Sequence, residues 1–548
     1  MSSMMQRPLL ISSLIEHAAH NHAGTEIVSR TIEGGAAFTI HRSNYGETCK
    51  RAKRLAHALT RLGVKKGDRI GTLAWNGYRH FELYYGVSGM GAVMHTINPR
   101  LFPEQLAYIA QHAEDQYVFF DLTFAPLIEA LSANVPGIKG FVAMSDRASM
   151  TKALSTAVIR SLHCYEELIA AESDDYAWPQ FDELTPSSLC YTSGTTGNPK
   201  GVLYTHRSTL LHTFGGMSPE ALNISARDAM LPVVPMFHVN AWGLPYMCTA
   251  AGAKLVFPGA ALDGGSLHTL FEQEKVTLSA GVPTVWLGLL AHVKSNNLKF
   301  SSFRETIIGG SACAPAMIEA FERDHGIRVV HAWGMTEMSP LGTVCRLMAK
   351  HLALSRAEQF KVQVKQGRAV YGVEMKIVDG DGHELPHDGK AFGDLMVRGP
   401  WIVERYFREE HSALKDGWFP TGDVATIDGD GYMQITDRSK DVIKSGGEWI
   451  SSIDLENIAV AHPAVQEAGV IGVAHPKWDE RPLLIVVKRK DADVSKEELL
   501  GFFQGKIAKW WMPDEVVFVE QLPHTATGKI LKTKLREDFK NYRLPDEQ

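Results

Sequence analysis

The chain has 548 residues, too many for one ordinary hydrophobic core, so at least two domains are expected, one of them large and composite. Its 56 Lys+Arg against 62 Asp+Glu leave a formal net charge of -6, which gives no global argument for nucleic-acid binding, and 45% hydrophobic content supports a globular enzyme. Six cysteines scattered without metal-ligand spacing, a polar start and no apolar run of membrane-spanning length point to a cytoplasmic protein, with peripheral contact at the inner membrane face left open.

In chain order, Ala52, Leu55, Ala56, Leu59 and Leu62 recur at helical spacing and Gly63 supplies a stop. The segment from Arg69 to Trp75 reads as a buried strand. Further helix-then-strand units are expected at Glu104 to Ala110 with Tyr117 to Phe120, and at Phe271 to Glu274 with Leu278. This alternation predicts an α/β fold around buried sheets, whose strand order is not readable from the pattern. From Gly372 the texture changes to short strands broken by Asp379-Gly380-Asp381-Gly382, Asp388-Gly389 and Asp428-Gly429-Asp430-Gly431, which predicts a β-rich subdomain over about 365–438. Residues 1–438 then form a large composite domain, and 439–548 a small α+β one.

The densest chemistry lies at Tyr191-Thr192-Ser193-Gly194-Thr195-Thr196-Gly197-Asn198-Pro199-Lys200-Gly201. Such a run can wrap backbone N–H groups and hydroxyls around phosphate oxygens, with Lys200 adding a point charge. It is not the P-loop NTPase pattern, because no Lys-Ser/Thr pair closes the glycine loop. Downstream, in order, come Trp333-Gly334-Met335-Thr336-Glu337, Thr421-Gly422-Asp423, Asp437-Arg438-Ser439-Lys440-Asp441 and Pro523-His524-Thr525-Ala526-Thr527-Gly528-Lys529. Any one could mislead; their ordered conjunction over nearly the whole chain resembles the adenylate-forming superfamily of acyl-CoA synthetases, adenylation domains and luciferases.

That resemblance implies activation of an acid by ATP to an acyl-adenylate and pyrophosphate, then thiol attack to give acyl-CoA and AMP. ATP and CoA are the implied co-substrates and Mg²⁺ the implied cofactor. Thr192, Ser193, Gly194, Thr195, Thr196, Gly197 and Lys200 would hold phosphates, and Glu337 with Thr192 would serve the cation. Gly310, Ser311, His331, Ala332, Trp333, Gly334 and Thr336 would surround the nucleotide. Trp333 replaces the family's common Tyr and keeps a broad aromatic face, although a lone Trp more often packs a core. Asp423 would bind ribose hydroxyls, as a carboxylate can. Arg438 and Lys444 would contact the nucleotide or adenylate, with Lys440 at the hinge.

Lys529 is the foremost catalytic candidate, an ammonium orienting carboxylate and α-phosphoryl. The resemblance further implies that rotation of the C-terminal domain withdraws Lys529 and brings Gly446, Gly447 and Trp449 to an acyl and thiol tunnel. Met236-Phe237-His238-Val239-Asn240-Ala241-Trp242-Gly243 resembles the segment of bacterial medium- and long-chain fatty acyl-CoA synthetases in which His238 flanks the carboxylate, Trp242 gates a tunnel, and Val239 and Asn240 line it. Amino-acid-activating relatives place an aspartate where His238 stands, which disfavours an amino-acid substrate. A medium- or long-chain fatty acid is the expected substrate. An aryl or branched short-chain acid ligase and a non-enzymatic nucleotide- or acyl-binding regulator stay open beside it, as does a homodimer.

Overall fold

The computed structural model describes residues 3–31, 33, 39–155, 157–192, 198–311, 313–445, 448–490, 492–524 and 530–544, with Glu448 and Trp449 described in backbone only. Ser193, Gly194, Thr195, Thr196, Gly197, Gly446, Gly447 and Lys529, and the Trp449 side chain, lie outside the described residues.

Two large sheets carry the N-terminal part. In the seven-stranded one the order is 162–164, 140–143, 115–120, 69–73, 93–96, 186–191, 201–205, parallel except for the last pair. Parallel strands are covered on both faces, and the side chains divide accordingly. Tyr117 and Phe119 enter one core while Val118 and Phe120 enter another. The nine-stranded sheet runs 368–369, 341–344, 328–334, 305–308, 278–281, 229–232, 254–257, 26–30, 40–44, parallel through its middle and antiparallel at both margins.

The helix Tyr78–Gly89 is buried at every residue but Arg79, and its buried Glu82 is satisfied by Arg51 and the Tyr165 hydroxyl. Leu83, Tyr84 and Tyr85 join residues of both sheets in one core. The Tyr85 hydroxyl donates to the carbonyl of Pro245 at 3.1 Å. The expected helix and strand units are present as Tyr45–Arg61, Arg69–Leu73, Pro103–Ala113, Asp115–Phe120, Gly264–Gln273 and Leu278–Gly281. The stretch read as β-rich holds a four-stranded antiparallel sheet, 374–378, 392–398, 419–427, 433–438.

The small C-terminal domain is α+β. Its five-stranded sheet centres on Asp479–Lys488 and Val465–His475. Leu484 and Val486 pack against the helices Ser452–Val460 and Lys496–Phe503, and Leu483, Ile485 and Val487 pack towards Leu535 and Leu544. Neighbouring residues thus fill opposite faces, and the run is apolar throughout.

Candidate active site

A cavity of about 1400 Å³ opens beyond the carboxyl ends of the parallel strands 229–232, 278–281, 305–308 and 328–334. That is where an open α/β sheet offers a crevice, because each strand delivers its chain to a loop on the same side. Residues 233–235, 237–239, 282–285, 309–311 and 331–337 supply one wall, and Asp423, Arg438, Lys440, Glu456, His524 and Lys532 close the other. The segment leading to His238 is held from behind. Asn76 donates to the carbonyls of Pro232 and Val234 at 2.8 and 2.9 Å and accepts from the Met236 amide at 2.6 Å, while the Tyr84 hydroxyl donates to the Met236 carbonyl at 2.6 Å.

On the wall expected for the nucleotide, Trp333 stands at the end of strand Arg328–Gly334, and its indole N–H donates to Asp423 at 3.0 Å. The Arg438 guanidinium meets the other Asp423 oxygen at 2.9 Å. A carboxylate has about four acceptor positions, and these two contacts orient Asp423 on the cavity wall. His331 Nδ1 donates to the Val364 carbonyl at 3.1 Å, and burial pulls its pKa down to about 4, which keeps the ring neutral. Gly309 allows close approach: a methyl there would stand 2.7 Å from the Ala332 carbonyl oxygen and 3.4 Å from the Trp242 ring. Gly310 has φ +80, where a side chain is strained.

Thr192 and Lys200 bring the base of the phosphate loop to the cavity, joined by the Thr192 amide donating to the Lys200 carbonyl at 2.9 Å. The Lys200 ammonium lies 4.8 Å from the centre of the Tyr406 ring, and the Tyr406 hydroxyl donates to Glu337 Oε1 at 2.8 Å. Burial pushes the Glu337 carboxyl up from its ordinary value; the Tyr406 bond works against that rise. Thr192 and Glu337 present a hydroxyl and a carboxylate to the same cavity, hard oxygen donors that suit a Mg²⁺ ion shared with phosphates and water.

Of the residues expected from sequence, Thr192, Lys200, His238, Val239, Trp242, Gly310, Ser311, His331, Ala332, Trp333, Gly334, Thr336, Glu337, Asp423, Arg438 and Lys440 line this one cavity. Two do not. Asn240, expected on the tunnel wall, is buried behind it and donates to the Ser188 hydroxyl at 2.8 Å. Lys444, expected at the nucleotide, has an exposed side chain on strand Ile443–Ser445, and its amide donates to Glu480 at 2.9 Å. His524 and Ile530, which flank the segment ending in Lys529, both line the cavity. Sequence reasoning missed Asn76, Tyr406, Glu456 and Lys532. None of the four stands in a motif that the sequence reading singled out.

All six cysteines are buried and unpaired, and burial pushes the thiol of Cys313, on the cavity wall, up to about 12, so no thiolate nucleophile is offered.

Residues 15–407 match the family described as AMP-binding enzyme, and 454–529 the AMP-binding enzyme C-terminal domain. The chain is 57% identical to a 3-methylmercaptopropionyl-CoA ligase of Ruegeria lacuscaerulensis, with 99% of each chain covered. It is 51% identical to a medium-chain-fatty-acid–CoA ligase of Ectopseudomonas oleovorans, covering 98% of this chain and 97% of the other. A crystal structure of the anthranilate CoA ligase AuaEII in complex with anthranoyl-AMP superposes with a TM-score of 0.85 at 25% identity, covering 98% of each. Ordered motifs, strand-end cavity and full-length likeness agree, and the chain belongs to the AMP-binding enzymes, the adenylate-forming acyl-CoA synthetase family.

Proposed function

We propose that this enzyme joins an unbranched aliphatic acid to CoA through an acyl-adenylate, and that its acids run from a thioether propionate the length of pentanoate to medium-chain fatty acids. The observation that carries the reading is one cavity in which an apolar wall of Val233, Val234, Leu262, Val282, Val285 and Met317 is continuous with Lys200, Glu337 and Asp423. An apolar chain gains about 0.8 kcal/mol per buried methylene on such a wall, while the polar end holds ATP. The two relatives named above bracket this range.

A carboxylate oxygen would attack the α-phosphorus as the bond to pyrophosphate breaks. Asp423, held by Trp333 and Arg438, would fix the ribose. Lys200 and the phosphate loop would hold the β- and γ-phosphates, and Lys529 would orient acid and α-phosphoryl. Mg²⁺ at Glu337 and Thr192 would supply charge neutralisation. The CoA sulfur would then attack the acyl carbon, AMP leaving and the thiol proton passing to solvent. His238 beside Trp242 would flank the carboxylate. The chain divides, in this reading, into residues 1–438 and 439–548.

AMP and acyl-CoA formation, measured over C4 to C18 acids, 3-methylmercaptopropionate and aromatic acids, tests it. The expected result is highest kcat/KM on short thioether and medium-chain acids. A preference for aromatic acids would replace the substrate, and no thioester from any acid by folded protein that binds ATP would remove the enzyme reading.

A further inference from the structure

Lys532 opens the helix Lys532–Asp538, where an ammonium is disfavoured twice. The helix dipole presents its positive end there, and the side chain is only 11% exposed. The surroundings compensate. Its Nζ lies 2.7 Å from Glu456 Oε1 and donates to the Ser452 hydroxyl. Ser452 in turn donates its amide to Asp437 Oδ2 at 2.6 Å, and Asp437 Oδ1 accepts the Arg438 amide at 2.7 Å. Arg438 is the residue paired to Asp423. Glu456 also accepts the Val470 amide at 2.8 Å, which holds its carboxylate on the central hairpin of the C-terminal sheet. One helical turn on, Arg536 meets Asp441 at 2.6 Å.

The polar chain therefore runs without a break from the helix that follows residue 529 to the carboxylate at the nucleotide wall. Ile530, Leu531, Lys532, Glu456, Asp437 and Arg438 all border the cavity. A buried ion pair of this kind adds little net stability, because desolvation offsets its attraction; what it supplies is a fixed geometry.

We propose that Lys532 is a positioning residue for the adenylation step: its ammonium, held by Glu456 and Ser452, fixes the start of the helix Lys532–Asp538 against the strand end that carries Asp437 and Arg438. Lys532 itself touches no reacting atom. This assignment rests on the acyl-adenylate reading above and goes beyond it, since it names a second lysine with a separate duty.

The test separates the half-reactions in the full-length enzyme. Lys532→Met should slow ATP–pyrophosphate exchange about 10²-fold, the scale of loss when a catalytic group is misplaced by about 1 Å. Transfer from supplied acyl-adenylate to CoA should stay close to wild type. Because Lys532→Met strands the Glu456 charge, the double variant Lys532→Met/Glu456→Gln is needed as well. It should regain the thermal midpoint lost by the single variant while exchange stays slow. Equal losses in both half-reactions, or exchange returning together with the thermal midpoint in the double variant, would overturn the assignment. Unchanged exchange in Lys532→Met would do the same. Failure of the acyl-adenylate reading is distinguishable, since wild type itself would then give no exchange with any acid.

Discussion

At the scale of single residues, the groups readable from sequence are those whose partners stand in the same short motif. Trp333, Thr336 and Glu337 fall within five positions, and the cavity collects all three. Tyr406 was silent because its bond to Glu337 spans 69 positions, and Asn76 because its three bonds reach across 156 to 160. No local pattern marks a Tyr or Asn whose partner is that remote. The Tyr406 bond leads to a pH prediction. It stabilises the Glu337 carboxylate against a burial that raises its pKa. Tyr406→Phe keeps the aromatic face under Lys200 and deletes only the hydroxyl, so the carboxylate should protonate at higher pH still. If ionised Glu337 is needed for adenylation, the acid limb of the exchange-rate profile moves to higher pH in the variant, while the rate on the alkaline plateau changes less. An acid limb that stays in place would show that another group sets it. For Lys529→Ala, exchange should fall by at least about 10²-fold, as for loss of one preorganised donor, with transfer of a supplied adenylate to CoA affected far less. Equal losses in single-turnover assays of the two steps would argue against that role.

Whole helices and strands were legible where side-chain period and burial agree. Ala52, Leu55, Ala56 and Leu59 form one buried stripe of Tyr45–Arg61, and the apolar run at Tyr117 to Phe120 is a strand covered on both faces. The turn at 239–243 was not legible. Val239, Asn240, Ala241 and Trp242 have φ of 44, 47, 49 and 58, followed by Gly243 at 79. Left-handed backbone costs non-glycine residues roughly 1–2 kcal/mol each, and in this run only Asn and Gly advertise it. The turn is held by the Asn240 side chain on Ser188, and it delivers the Trp242 ring to Gly309 and Gly310 on the cavity wall. The residue expected to line the tunnel is thus the anchor behind it. Trp242→Ala should change the dependence of kcat/KM on acyl length, each methylene gained on the widened wall adding up to about 0.8 kcal/mol. Asn240→Ala should lower the unfolding free energy by about 1–3 kcal/mol through loss of the bond to the buried Ser188 hydroxyl, read as a lower thermal midpoint, and shift the length profile in the same direction as Trp242→Ala. Parallel profiles for wild type and Trp242→Ala would reject the gate. A changed profile in Trp242→Ala alone would show that Asn240 serves stability without positioning the ring.

On the scale of the molecule, the apolar interior changes owner near the motif at 437–441. The three clusters of the N-terminal part contain no residue beyond Ile435, and the two of the C-terminal part none before Ile443. A unit with its own core can unfold by itself. What joins the units is polar: Ser451 donating to the Thr436 carbonyl, Ser452 to Asp437, and the cavity they enclose between them. The resemblance implied a site walled by both units, since it set Lys529 and Lys440 of 439–548 beside nucleotide residues of 1–438; what the sequence did not show are the single hydrogen bonds between distant segments that join them. Thermal unfolding should therefore proceed in two steps, the smaller one belonging to the C-terminal unit. A non-hydrolysable acyl-adenylate analogue, touching Asp423 on one side and the 530–532 stretch on the other, should raise the smaller step toward the larger. At about one hundred times its dissociation constant, a ligand bound only by the closed form adds about 2.7 kcal/mol. Differential scanning calorimetry with and without the analogue checks this, with CoA alone as the comparison. A single transition that the analogue moves without changing its shape would mean that the polar joint already couples both cores, and a smaller step left unmoved would mean that the analogue binds the N-terminal wall alone.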